Sequence, residues 1–338
     1  MIYWAPFGDT ILATPLIRRL SGAFAGSRIT YIANYPLYTP FGPPSMIIEG
    51  NPYVRQVITS HKMLLAELLR QEPYDLAVDL VGNSFTGMLA YLSGAGYKVC
   101  AKFRGEPYSI YWVSRRPDGS WSDKTVCRIP PEKKLCRVEH LLEIARTMGI
   151  APGKDIRPRI YLSREESASG RRKIKGLTGG RRPVIAIQPG GHHKDRLWDW
   201  RNYSSLCDRL SGQMGARVLV IEGPREAATV RKMLSGCRHA PAVLRPADLR
   251  EFFALVSQCD LFISTDGGPL HMSLALGTPA VGIFKSRTIM QYWYLPHYRR
   301  LLSPAYFHPS AFRSRDGSKV DTVFRRAGRL LRQKKLIR

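Results

Sequence analysis

Three short segments combine glycine with groups that bind anions or carry protons. The first is Ser264-Thr265-Asp266-Gly267-Gly268-Pro269-Leu270-His271, where an apolar run enters an Asp-Gly-Gly turn and then a helical pattern. A helix start offers unpaired N–H groups and a positive dipole end, which suits a diphosphate. Gly267 and Gly268 allow a ligand close to the backbone, and His271, in the first turn, can donate to a phosphate oxygen. Read structurally, Asp266 caps the helix and the glycines turn the chain. A position at the end of a buried strand, with a histidine one turn on, favours the binding reading.

The second segment, Gln188-Pro189-Gly190-Gly191-His192-His193-Lys194-Asp195-Arg196-Leu197-Trp198, again ends an apolar run in glycines, now followed by cations. Backbone donors at Gly190 and Gly191 with Lys194 or Arg196 would stabilise a leaving diphosphate. Read structurally, it is a solvated loop. The two histidines lack a set of Asp, Glu or Cys partners, so no metal is expected. The third segment is Phe7-Gly8-Asp9-Thr10, after the first apolar run. Asp9 can take a proton from an attacking hydroxyl or serve as an N-cap for the next helix. The residues by themselves leave those two readings even.

The elements that must hold these segments alternate. Ile2-Tyr3-Trp4, Arg28 to Ala33, Val54 to Ile58 and Tyr74 to Leu80 read as strands, with helices from Ile11 to Leu20, Met63 to Arg70 and Val138 to Met148. Residues 149–183 are rich in Gly, Pro and cations and mark a boundary; within them Ser163 and Glu166 form a capping box for a helix running to Ile174. Alternation then restarts. Val184 to Ile187, Arg217 to Ile221, Leu261 to Ser264 and Ala280 to Phe284 are strands, and Tyr203 to Leu210, Leu249 to Gln258 and Leu270 to Leu276 are helices. The order predicts two doubly wound α/β domains with ligands beyond the carboxyl ends of the strands, facing a central cleft. The expected boundaries are 1–165, 166–320 and a basic tail at 321–338.

The 338 residues suit two domains. No apolar stretch reaches membrane-span length, and no secretory leader is visible. Six scattered cysteines without a CxxC pair fit reduced thiols, as in a cytoplasmic protein. The 52 Lys and Arg against 26 Asp and Glu give a net charge of +26, a field that gathers nucleotides, phosphorylated glycans, nucleic acid or an anionic membrane face. The last segment, Phe324 to Arg338, has cations around an apolar stripe at Val323, Ala327, Leu330 and Leu331. It reads equally as a membrane-surface helix or as a last helix folded back on the protein.

Taken in order, these motifs resemble glycosyltransferase family 9, the bacterial heptosyltransferases of lipopolysaccharide core synthesis. Gly8-Asp9 with Thr14-Pro15 is similar to its N-terminal GD…TP signature. Asn51-Pro52-Tyr53-Val54 and Tyr74 to Leu80 resemble the next landmarks, Pro189-Gly190 with Arg196-Leu197-Trp198 its PG…KxW element, and Gly223-Pro224-Arg225-Glu226 its GGPxE turn. Asp266 to His271 resembles DTGxxH, the most specific of them.

The resemblance implies a GT-B fold with acceptor on the N-terminal domain and ADP-heptose on the C-terminal one. It implies an inverting transferase that uses a nucleotide sugar and no metal or other cofactor, at the cytoplasmic face of a membrane. It makes Asp9 the catalytic base, places Gly190, Gly191, Lys194, Arg196, Asp266, Gly267, Gly268 and His271 at the diphosphate, and sets Glu226 near the donor ribose; read structurally, Glu226 is a solvated acid at a helix start. The implied acceptor is an anionic glycolipid of the lipopolysaccharide core or lipid A type, and an anionic membrane surface is a further candidate partner. Three positions depart from the pattern: Arg196 where the family has Lys, Gly267 where Thr is common, and Lys285 where Gly is frequent. Arg keeps the charge but is not equivalent to Lys. Without an RNP motif, zinc finger or recognition helix, nucleic acid is not an expected partner. A nucleotide-sugar epimerase would need paired acids about the sugar, and no second one is evident. A non-catalytic glycan-binding relative is the remaining rival.

Overall fold

A computed structural model describes the chain except for residues 4, 34–41, 71, 103–107, 116–120, 130–134, 181–182, 192–196, 288–296, 299, 308–316 and 338. The chain forms two compact units, one of Met1–Thr39 with Pro43–Tyr161 and the other of Leu162–Arg338 with Pro40–Gly42.

The first unit contains β1 (Ile2–Tyr3), α1 (Phe7–Leu12), α2 (Thr14–Ala23), β2 (Ile29–Ala33), a 3-10 turn (Pro44–Ile47), β3 (Val54–Ile58), α3 (His61–Leu69), β4 (Leu76–Asp79), α4 (Ser84–Leu92), β5 (Tyr97–Lys102), β6 (Tyr108–Arg115), β7 (Trp121–Ile129) and α5 (Arg137–Thr147). Its sheet runs β3-β2-β1-β4-β5-β6-β7. The first five strands are parallel, and β6 and β7 continue the sheet antiparallel. The helix expected from Ile11 to Leu20 is divided at Ala13 into α1 and α2. The doubly wound order is the expected one, and the antiparallel pair β6 and β7 is an edge extension that carries no strand signal in the sequence.

Two of the sequence landmarks prove to be turn-forming in this unit. Asp79, fully buried at the end of β4, accepts from the Val81 and Gly82 amides at 2.8 and 3.2 Å. Burial pushes its carboxyl above the usual range. Asn83 and Thr86 then close a capping box that starts α4. Asn51 accepts from the Tyr53 amide at 3.1 Å and fixes the entry to β3.

The second unit contains α6 (Arg164–Thr178), β8 (Val184–Gln188), α7 (Trp200–Met214), β9 (Arg217–Ile221), α8 (Ala227–Ser235), β10 (Ala242–Leu244), α9 (Leu249–Val256), β11 (Leu261–Thr265), α10 (Gly268–Ala275), β12 (Ala280–Phe284), β13 (Leu302–Tyr306) and α11 (Gly317–Gln333). The sheet is parallel throughout, ordered β10-β9-β8-β11-β12-β13. Every residue of β8, β11 and β12 is buried, as expected for central parallel strands covered on both faces.

The Ser163 hydroxyl oxygen caps α6 by accepting from the Glu166 amide at 3.1 Å, and the Glu166 carboxylate accepts from the Ser163 amide at 2.7 Å. Glu166 also receives two 2.7 Å bonds from Arg250 of α9, tying the helices together. Gly170 lets them touch: a Cβ there would lie 2.3 Å from the Ala254 carbonyl oxygen.

Of the two readings of the last segment, the structure selects the packed helix. Val320, Val323, Ala327, Leu330 and Leu331 of α11 join Tyr203, Leu206 and Leu210 of α7 in one core. Arg325, Arg329 and Arg332 stay on the outside. The apolar stripe is thus consumed by the protein's own core. Among the described residues, no helix is long and apolar enough to cross a membrane.

Candidate active site

In the second unit the strand order reverses direction between β8 and β11, and both neighbours end in glycine loops. Such a reversal opens a crevice at the carboxyl ends of the strands, because the following helices go to opposite faces. Thr265, the last residue of β11, donates its hydroxyl to the Gly190 carbonyl at 3.3 Å, so the two loops touch across the crevice.

The loop after β9 reaches the same place. A Cβ on Gly190 would lie 1.8 Å from Cγ of Glu226, so the absence of a side chain at 190 makes the room that Glu226 occupies. Glu226 is half-buried, and burial pushes its carboxyl above the usual range. It stands at the N-cap of α8 without capping it. This corrects the reading of a solvated helix-start acid: the side chain is turned inward against the glycine loop. Gly190, Gly191 and Glu226 are therefore neighbours despite their separation in sequence.

Asp266 does not cap α10. The N-cap is Gly267, no side chain caps the helix, and the helix begins at Gly268. Asp266 instead follows β11 with its amide bonded to the Ile283 carbonyl at 3.2 Å. Lys285 follows β12, the next strand over, and is half-buried. His271 lies in the first turn of α10 and is buried, with the Tyr298 ring 6.3 Å away; the His297 ring is tilted against that tyrosine, with centroids 4.6 Å apart. His297 and Tyr298 carry no motif and were not singled out in the sequence. Lys194 and Arg196, with His192 and His193, lie outside the described residues. The nearby Trp198 is buried, edge-on to Tyr203 at 4.9 Å and stacked on Phe307 at 6.2 Å, anchoring the return of that loop.

Burial, and after it the proximity of His297, pushes the His271 imidazole down to about 3. The imidazole is therefore neutral at pH 7, a single-proton donor rather than a cation. The consequence for stability has a definite sign. An unfolded histidine takes a proton near pH 6.5, whereas the folded one refuses it until about 3. Between those limits the unfolded chain binds more protons, so stability falls as pH falls, by roughly 1.4 kcal/mol per pH unit for this one group. Urea unfolding at pH 7.5 and pH 5.0 is expected to show a loss of about 2 kcal/mol from this source. In His271→Gln that component should be missing. An equal pH slope in the variant would show that the imidazole is protonated freely in the folded protein.

In the first unit the strand order reverses between β1 and β4, and Asp9 follows β1 at that reversal. The even choice between base and cap is resolved against the cap. The N-cap of α1 is Pro6, and Asp9 is the third residue of the helix. Its Oδ1 accepts from the Tyr3 hydroxyl at 3.2 Å and from Nε of Arg137 at 3.3 Å. The Asp9 side chain keeps 21% of its surface exposed and that of Arg137 keeps 10%, so the pair is partly screened from water while the carboxylate stays reachable. Neither Tyr3 nor Arg137 was singled out from the sequence; Arg137 precedes the helix pattern at Val138 and looks there like any basic helix start.

Glycosyltransferase family 9 (heptosyltransferase) matches the chain by its family model over residues 63–296. Lipopolysaccharide heptosyltransferase 3 of Escherichia coli is 24% identical over 314 residues, covering 85% of this chain and 86% of that one. Among solved structures, a glycosyl transferase family 9 protein from Veillonella parvula superposes with a TM-score of 0.75 at 18% identity, covering 98% and 96% of the two chains. The E. coli ADP-heptose lps heptosyltransferase II gives 0.74 at 17% identity, covering 99% and 98%. The two doubly wound units are thus of the GT-B class, and the strand-end glycine loops sit where that class of sheet binds ligands. The chain belongs to glycosyltransferase family 9, the heptosyltransferase family, and is a glycosyltransferase.

Proposed function

We propose that the protein transfers heptose from ADP-heptose to an acceptor of the lipopolysaccharide core or lipid A type, with inversion and without a metal ion. The observation that carries this reading is the convergence at Gly190 of three strand-end loops, from β8, β9 and β11, beside the N-terminus of α10. Backbone amides and a helix start take the place of a cation at the diphosphate.

In this reading the diphosphate lies on Gly190, Gly191, Gly267 and Gly268, with His271 donating one N–H. Lys194 or Arg196 supplies positive charge, Asp266 and Lys285 face the donor, and Glu226 meets the ribose. The acceptor hydroxyl loses its proton to Asp9 as its oxygen bonds to the anomeric carbon. The bond from that carbon to the diphosphate oxygen breaks on the opposite face, and ADP leaves with the electron pair. Contact with an anionic membrane surface on the cytoplasmic side belongs to the same reading, supported by the net charge of +26 and by the outward arginines of α11.

A thermal-shift panel of ADP-, GDP- and UDP-sugars in EDTA tests donor and metal together. A donor present at 100 times its Kd stabilises the fold by about 2.7 kcal/mol. ADP-heptose is expected to raise the midpoint most. A larger shift with a GDP- or UDP-sugar would replace ADP-heptose as donor, in keeping with the unusual Gly267 and Lys285. A shift that appears only when a divalent ion is restored would end the metal-free mechanism.

A further inference from the structure

Asp9, Tyr3 and Arg137 form a closed ring of hydrogen bonds. Arg137 donates from Nη2 to the Tyr3 oxygen at 3.0 Å and from Nε to Oδ1 of Asp9 at 3.3 Å, and Tyr3 donates its O–H to the same Oδ1 at 3.2 Å. The direction of every bond is fixed by chemistry. A guanidinium has only donors, and a carboxylate only acceptors. The phenol has one proton, and burial pushes its ionisation well above the usual range, so it arrives at Asp9 as O–H. Two donors thus converge on one oxygen of the carboxylate. Among the described residues, Oδ2 receives no hydrogen bond.

We propose that Arg137 and Tyr3 are positioning residues that pin Oδ1 of Asp9 and so present Oδ2 to the acceptor hydroxyl. The proposal rests on Asp9 being the base. A carboxylate in the first turn of a six-residue helix has freedom about χ1 and χ2, and general-base catalysis needs its free oxygen within hydrogen-bond reach of one particular proton. Tyr3 is held by β1 with 3% of its surface exposed, and Arg137 is the first residue of α5. Both anchors therefore come from elements packed in the first unit, whereas α1 alone would leave the carboxylate to rotate. The planar fork of Arg137 reaches tyrosine and aspartate at once, which a lysine ammonium cannot do in the same geometry.

The test uses steady-state transfer from ADP-heptose to heptose-deficient lipopolysaccharide by the full chain. Tyr3→Phe removes one hydroxyl from an otherwise unchanged ring and is expected to lower kcat about fivefold. Arg137→Met is expected to lower it about 50-fold and Arg137→Lys to recover part of that, with the KM for donor little changed throughout. The decisive readout is the double variant. In the Asp9→Asn background neither Arg137→Met nor Tyr3→Phe should lower kcat further, because both act through the carboxylate. Should Asp9→Asn fall while Tyr3→Phe and Arg137→Lys keep wild-type kcat, the positioning role is overturned and the base stands. Should Asp9→Asn itself keep wild-type kcat, the base reading fails first. Losses in kcat that follow a lowered melting midpoint, and vanish on cooling, would reduce both residues to packing.

Discussion

Asp9→Asn is expected to lower kcat about 1,000-fold, within the range of roughly 10² to 10⁴ attributed to a positioned general base, while KM for the nucleotide sugar hardly moves. The amide has the shape of the carboxylate and keeps an oxygen for the Tyr3 hydroxyl and for Nε of Arg137, so the ring of hydrogen bonds persists. What is lost is the capacity to take a proton. Folding cost should be small. The Arg137 side chain loses its partner charge but retains the hydrogen bond, and both side chains still touch water. A loss of about 1 kcal/mol in urea unfolding is the scale expected for a partly exposed pair. The two readouts therefore separate: a near-normal melting curve beside a nearly silent enzyme. Equal rates in variant and wild type would remove Asp9 from the chemistry.

The second large effect is expected at Gly268, with opposite signs for fold and function. Gly268 is the first residue of α10 and has an ordinary helical backbone. Alanine is about 1 kcal/mol better than glycine within a helix, so Gly268→Ala should leave the melting midpoint unchanged or raise it. If the diphosphate rests against the amides of this turn, the added methyl holds it off. Losing one charge-assisted hydrogen bond of about 1.5–3 kcal/mol gives a KM rise for the nucleotide sugar of about 10- to 100-fold. Inhibition by free ADP should weaken in parallel, since the nucleotide alone carries the diphosphate. A variant that binds ADP as wild type does would place the diphosphate elsewhere.

The consequences of Arg137→Met differ from both in kind. It leaves every atom of the proposed base and of the glycine loops in place, and in the positioning role its effect on kcat passes through the carboxylate. That is why its effect should disappear in the Asp9→Asn background, whereas Gly268→Ala and Asp9→Asn, acting on different substrates, should combine additively.

The α/β alternation was legible because central parallel strands are continuous apolar runs. Val184 to Gln188, Leu261 to Thr265 and Ala280 to Phe284 are buried at every position and could not sit anywhere but mid-sheet. Their glycine exits were equally plain, since a turn straight into a helix restricts residue type. The capping box at Ser163 and Glu166 was readable because it is settled within four residues. The strands Tyr108–Arg115 and Trp121–Ile129 were not readable. They mix charged, hydroxyl and aromatic residues without a sustained apolar run, and their place in the sheet depends on pairing with one another and with Tyr97–Lys102.

Side-chain roles divide along the same line. That Asp9 carries a carboxylate after the first strand, and that Gly190, Gly267 and Gly268 leave backbone open, follows from residue type and local order. Whether Asp9 caps a helix or faces Tyr3 and Arg137 does not, because Arg137 lies 128 residues away and arrives through α5. Nor does the inward turn of Glu226, which needs β9 laid beside β8 so that an acid meets the bare Cα of Gly190. Periodicity records what one residue's own neighbourhood requires, burial on one face or a turn at one point. Which distant groups share a hydrogen bond is decided by the order in which strands cross over, and that order is a property of the folded chain.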